Sequence, residues 1–241
     1  MYKTLCYWMN FAKFYIYISV NLKAFKKAKK NNDREKFTKL FERSYNLFAD
    51  VFCKSVNIDF DITGQEKVDL DETYLIVANH LGLADIATVI KAFPKITSFV
   101  SKIELSNVMA FSEWMRVAGS IFIDRNDARA SIIELNKGIE ELKSGISMCV
   151  FPEGKRNDTG QIEEFKKGSF KLALKSGVKI LPMVLYGTRD VYENNNNKIR
   201  DGKIKVRILD PIDLKTLSSE EIKNLHVIVH DRMNEVYKQL K

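Results

Sequence analysis

From residue 74 onward, short runs rich in β-branched and aromatic residues alternate with longer stretches whose apolar residues recur three and four apart. That rhythm restricts the chain to an α/β architecture, a mixed and mostly parallel central sheet flanked by helices. The strand-like runs are 74–79, 97–101, 120–124, 146–151, 179–187 and 203–209, and the helical patterns are 84–93, 106–117, 127–143, 166–176 and 219–239. Over 127–143 the stripe Ala128, Ile132, Leu135, Ile139 and Leu142 runs into Gly145, a helix stop. Ser218 to Glu221 reads as a capping box opening the last helix. No internal repeat is present, and the polar run Glu193–Asn197 reads as a surface loop.

The first 57 residues follow a different logic. Trp8, Phe11, Tyr15, Ile18, Leu22 and Phe25 fall at helical spacing. A second helix is expected from Asp33 to about Phe52, with Phe37, Leu40, Phe41, Leu47, Phe48 and Val51 inward and Asn31-Asn32-Asp33 supplying the turn and the cap. The expected organisation is therefore an amphipathic two-helix hairpin over 1–57, followed by an α/β domain over 58–241. Net charge supports treating the hairpin separately. The chain carries +8, but residues 1–30 hold seven lysines and no acid, and without them 32 basic residues face 31 acidic ones. A broad nucleic-acid-binding face is excluded by that distribution. Aromatic rings together with lysines suit a lipid headgroup layer, so the hairpin is expected to bind an anionic membrane surface.

Several chemistries drop out on motif grounds. Three widely spaced cysteines without a Cys-x-x-Cys pair give neither a disulfide framework nor a zinc site, and Cys149 reads as a small buried hydrophobe in a strand. No two glycines are separated by a single residue, no phosphate-loop pattern appears, and no Gly-x-Ser-x-Gly elbow presents a serine nucleophile. His226 and His230 stand four apart on the last helix, but a third ligand is not evident and no metal is assigned.

Four segments, each closing or containing an apolar run, carry the chemistry. In Asn79-His80-Leu81-Gly82-Leu83-Ala84-Asp85 the histidine and aspartate are five apart, a spacing that points them away from each other on a continuous helix. A strand ending at His80, a turn at Gly82 and a helix entered near Asp85 would instead bring the carboxylate to Nδ1 and leave Nε2 as a general base. Gly119-Ser120-Ile121-Phe122-Ile123-Asp124-Arg125 delivers an arginine to the end of a strand, where open α/β sheets bind ligands. Phe151-Pro152-Glu153-Gly154-Lys155-Arg156-Asn157 gathers acid and base side chains around a turn. The fourth is the run 178–185, in which Pro182 signals an edge or a bulge.

In this order and spacing the four blocks resemble those of the glycerolipid acyltransferase family, particularly the 1-acylglycerol-3-phosphate O-acyltransferases, and Lys102-Ile103-Glu104-Leu105 resembles a further segment common there. The chain departs from the usual pattern at Leu81–Ala84, at Lys155 and at Asn157. The resemblance implies transfer of an acyl group from a thioester to the 2-hydroxyl of 1-acylglycerol 3-phosphate, giving phosphatidate in phospholipid synthesis without a covalent acyl-enzyme. It implies His80 as base and Asp85 as its orienting partner. Arg125, with Lys155 and Arg156, would hold the acceptor phosphate, and Glu153 beside Gly154 would bind the glycerol hydroxyl or orient those bases. Backbone donors near Lys102 or Pro182 would meet the oxyanion. No cofactor is implied beyond the donor substrate, acyl-CoA or acyl carrier protein, and the expected location is peripheral, on the cytoplasmic face of the cell membrane. The alternatives are another lysophospholipid acceptor and a non-catalytic membrane-binding protein.

Overall fold

The computed structural model describes residues 2–241, with Met1 outside the described residues. Helix α1 (Tyr2–Lys30) and helix α2 (Arg34–Cys53) form the hairpin, and Asp33 caps α2 by accepting from Lys36 N–H at 3.1 Å. Strand β1 (Ile58–Thr63) follows, a strand absent from the sequence reading because Asp59 and Asp61 interrupt its apolar residues. The remaining strands are β2 (Tyr74–Ala78), β3 (Thr97–Lys102), β4 (Ile121–Ile123), β5 (Ser147–Val150), β6 (Lys179–Tyr186) and β7 (Gly202–Ile208). Between and after them lie α3 (Asp85–Ala92), α4 (Met109–Val117), α5 (Ala128–Lys143), α6 (Lys171–Ser176), α7 (Ser219–Lys223) and α8 (Leu225–Leu240). The expected 166–176 helix opens instead with a 3-10 turn at 167–170, and the expected 219–239 helix breaks at Asn224.

The seven strands are ordered β1-β7-β6-β2-β5-β3-β4, with every neighbouring pair parallel except β6 and β7. Successive β2 residues serve opposite layers. Tyr74, Ile76 and Ala78 join the hairpin, α3 and α4 on one face, while Leu75 and Val77 join α5, α6 and α8 on the other. Pro182 lies inside an interior strand, buried opposite Val77, so the edge reading fails and the bulge reading holds. Met183 pairs with Ile208 but Ile180 bridges Ile212, one residue out of register, and the proline's missing N–H falls at that irregularity.

The hairpin is built into the sheet's face. Phe14, Phe25 and Phe41 have no solvent exposure. Phe14 meets Phe48 and Trp114 edge-on at centroid distances of 5.1 and 5.2 Å, and Trp114 Nε1–H donates to Ser44 Oγ at 3.1 Å. The buried face of α1 is Tyr7, Phe14, Ile18, Phe25 and Ala28, which corrects the sequence stripe. Trp8, assigned to that stripe, is 58% exposed, because α1 is apolar on more than one side and spacing alone does not choose between them. Similarly Ile132 of α5 is exposed, and only Gly138, Ile139 and Leu142 of that helix are buried.

Candidate active site

The parallel strands β2, β3, β4, β5 and β6 all run toward one edge of the sheet, and their C-terminal extensions carry the chemical groups. At the end of β2, Asn79 replaces a stretch of ladder pairing to β6, its Nδ2 donating to Leu185 O at 2.9 Å and its Oδ1 accepting from Leu185 N–H at 2.8 Å. The chain then turns, so that Asp85, first residue of α3, faces back to His80 at 2.7 Å between Nδ1 and Oδ2. Asp85 is fully buried, and the same Oδ2 accepts from Leu81 N–H at 2.6 Å and Gly82 N–H at 2.8 Å. These donors converge on one oxygen and satisfy it in the interior. With Nδ1–H given to Asp85, Nε2 keeps its lone pair, and the ring stacks on Phe151 at 4.3 Å, leaving 20% of the side chain exposed.

Glu153 is 3% exposed and acts as a clasp between segments. Its Oε1 accepts from His80 N–H at 2.7 Å, and its Oε2 accepts from Asn157 Nδ2 and Glu163 N–H, both at 3.0 Å. Burial pushes its carboxyl above the ordinary range, opposed by these donors and by the nearby imidazole. Asn157 N–H in turn donates to His80 O at 2.7 Å. Gly154 needs its glycine, with φ at +75° and a Cβ that would stand 2.8 Å from Lys166 Nζ.

Of the basic residues, Arg125 follows β4 and donates to Gly154 O. Lys155 is paired with Glu163 at 3.0 Å, which raises its ammonium, and Arg156 reaches Glu193 at 3.4 Å. An open cleft of about 820 Å³ beside the loop is lined by Arg125, Glu153, Lys155, Lys166 and His230, among others. Lys102 ends β3 on this edge, exposed and beside Ile123 of β4. Pro182 stands apart, enclosed in the sheet with its carbonyl taken by Leu209 N–H, so the structure does not bring it to the others. His230 spends its ring nitrogens on Asp231 and Ile162 O, at 2.8 and 3.3 Å.

Three contributors went unread in the sequence. Arg189 Nη1 donates to Asn157 O at 3.0 Å and to Leu81 O at 3.5 Å. Glu193 is no surface-loop residue, since its side chain is 12% exposed and its Oε1 accepts from Leu83 N–H at 2.7 Å. Lys166, against Gly154, is the third. Polar composition alone hid all three, and the only sequence signal is that Arg189 and Glu193 follow closely on the end of β6. The outcome is that four consecutive amides, residues 80 to 83, are shared among Glu153, Asp85 and Glu193.

Residues 59–186 match the family model described as Acyltransferase. A putative 1-acyl-sn-glycerol-3-phosphate acyltransferase of Caenorhabditis elegans is 29% identical, over 78% of this chain and 68% of its own length. A 1-acyl-sn-glycerol-3-phosphate acyltransferase of Borreliella burgdorferi is 31% identical, over 71% of this chain and 69% of its own. In fold, the chain superposes on the crystal structure of the 1-acyl-sn-glycerophosphate acyltransferase PlsC from Thermotoga maritima with a TM-score of 0.74 at 24% identity, covering 99% of this chain and 98% of that one. The matched segment begins in β1 and ends with β6, so it contains the His80 turn, the Arg125 strand end and the Glu153 loop together, and the chain belongs to the acyltransferase family.

Proposed function

We propose that this enzyme moves an acyl group from a thioester, acyl-CoA or acyl carrier protein, to the 2-hydroxyl of 1-acylglycerol 3-phosphate, forming phosphatidate. The observation that carries the reading is the His80–Asp85 pair, with a carboxylate fixing Nδ1–H and an accessible Nε2 at the strand edge. Nε2 takes the hydroxyl proton as the oxygen adds to the thioester carbonyl, and the imidazolium, stabilised by Asp85, returns that proton to the departing thiolate. Arg125 is the cation for the acceptor phosphate, with Lys155, Arg156 and Lys102 near it. Glu153 positions the loop that bears them. The names of the relatives support the acceptor. The test is transfer of a labelled acyl group to lysophosphatidate presented in anionic vesicles, with other lysophospholipids as competitors. Product formed only from those competitors would overturn the assignment. Arg125→Ala is expected to raise the acceptor KM about tenfold with little change in kcat, because a charge-assisted bond is lost in substrate and transition state alike.

The outward face of α1 supports work at a lipid surface. Tyr2, Leu5, Met9, Ile16 and Val20 are exposed by 53 to 79%, and Lys23, Lys27 and Lys30 continue the same face toward the helix end. No helix among the described residues is long and apolar enough to cross a membrane. On this reading the apolar turns enter the headgroup boundary while the lysines meet anionic lipid, a pattern that supports a peripheral position on the cytoplasmic face. Replacing Leu5, Ile16 and Val20 with Ser is expected to weaken partitioning onto anionic vesicles at least about tenfold without lowering Tm, read by co-sedimentation and thermal unfolding.

A further inference from the structure

The turn between His80 and Asp85 is tied by a group outside the four sequence blocks. Leu81 and Gly82 give their N–H groups to Asp85, whereas the next amide, Leu83, gives its own to Glu193 Oε1 at 2.7 Å. Glu193 arrives from the segment after β6, between the 3-10 turn at 188–191 and Asn196. It presses directly on the turn: a Cβ at residue 82 would stand 2.5 Å from its Oε2, so any larger residue there would displace this carboxylate. That Oε2 is buried and has no hydrogen-bond partner among the described residues. Such a group is costly to keep unless the contact it makes is needed. The shared oxygen, Oε1, also receives Arg156 Nη1 at 3.4 Å, and Arg189 of the same segment secures Leu81 O and Asn157 O from the other side.

We propose that Glu193 is a positioning residue for the acyl-transfer centre: wedged against Gly82 and bonded to Leu83 N–H, its carboxylate fixes the turn that aims Asp85 at His80, and holds Arg156 beside it. The inference rests on the acyl-transfer reading. Glu193 touches neither reacting group; it acts through the backbone that supplies Asp85 with two of its donors. An acceptor oxygen is what the turn requires, so glutamine at 193 retains the function and alanine loses it.

The experiment compares wild type, Glu193→Ala and Glu193→Gln in vesicle-supported acyl transfer across pH, with Tm measured for each. The His80 ring is titrated by NMR in the substrate-free enzyme, its resonance identified by its loss in His80→Ala. Glu193→Ala is expected to lower kcat about tenfold, the scale of one well-made hydrogen bond. It is also expected to move the acid limb of the rate profile and the NMR titration of His80 to lower pH, because a loosened Asp85 stabilises the imidazolium less. Glu193→Gln is expected to recover kcat to within about threefold of wild type. A Glu193→Ala enzyme that loses Tm but keeps the wild-type kcat and titration overturns the proposal, as does a folded Glu193→Gln as impaired as the alanine variant. Should the alanine variant not fold, the glutamine variant decides by the same two readouts, a wild-type titration supporting the proposal and a displaced one overturning it. Absence of transfer by the wild type overturns the reaction reading alone, because the NMR titration needs no substrate.

Discussion

His80→Ala is expected to reduce acyl transfer by about a thousandfold while leaving the fold intact. The size follows from what general-base catalysis contributes when an alcohol must lose its proton as it attacks. The fold should survive because the imidazole is partly exposed and its one strong partner, Asp85, keeps the Leu81 and Gly82 amides after the ring is gone. Asp85→Asn tests the same arrangement from the other side. An amide in place of the carboxylate presents the wrong partner to Nδ1, favours the opposite tautomer and is expected to lower kcat by at least about a hundredfold. Initial rates of labelled transfer measure both. A His80→Ala enzyme with near wild-type turnover would remove the imidazole from the reaction.

Glu153→Ala is the substitution expected to damage stability most. Three N–H donors, on His80, Asn157 and Glu163, would lose their acceptor, two of them backbone groups, around a carboxylate that is itself buried. Leaving them unsatisfied is expected to cost about 3 kcal/mol, a fall in Tm of roughly 6–12 °C for a domain of this size. Activity should fall with it, since the His80 backbone and the loop bearing Lys155 and Arg156 are no longer joined. The pH dependence has a defined sign. Burial raises the Glu153 carboxyl in the folded protein, so the part of its contribution that is linked to protonation is fullest below the ordinary carboxyl range and is lost as pH rises through the raised value, while the accepted hydrogen bonds remain. The alanine variant should therefore show a flatter stability profile over that interval in thermal unfolding followed as a function of pH.

What sequence made legible, and what it did not, separates by physical cause. The His80–Asp85 geometry was readable because a glycine between them allows a turn, and a turn is the simplest way for residues five apart to meet after a strand. Strands β2, β4, β5 and β6 were readable from short apolar runs, which buried strands require, and β7 from the alternation of Ile204, Val206 and Ile208 with charged residues. Strand β1 was not, since its aspartates face outward on an edge and one of them forks with Arg207 at 2.9 and 3.0 Å. The roles of Lys155 and Arg156 looked open in sequence, yet each has a carboxylate partner in the structure. Glu193 was hidden in a run of asparagines, where composition says solvent and only tertiary placement says otherwise. Pro182 was read as marking a site, but it marks the place where the chain beyond β7 slips its pairing with β6.

The aromatic packing beneath α1 and α2 decides how such an enzyme can meet a bilayer. Peeling the hairpin away to insert it would expose Phe14, Ile18, Phe25, Phe41, Phe48 and the neighbouring Trp114, at about 1.5–3 kcal/mol for each large side chain. That sum is comparable to the whole stability of an ordinary domain. The hairpin is therefore a wall of the catalytic body and not a detachable anchor. In the proposed membrane-surface mode, lipid would be approached by a rigid object, and amides of α1 and α2 should exchange with deuterium only when the entire molecule unfolds.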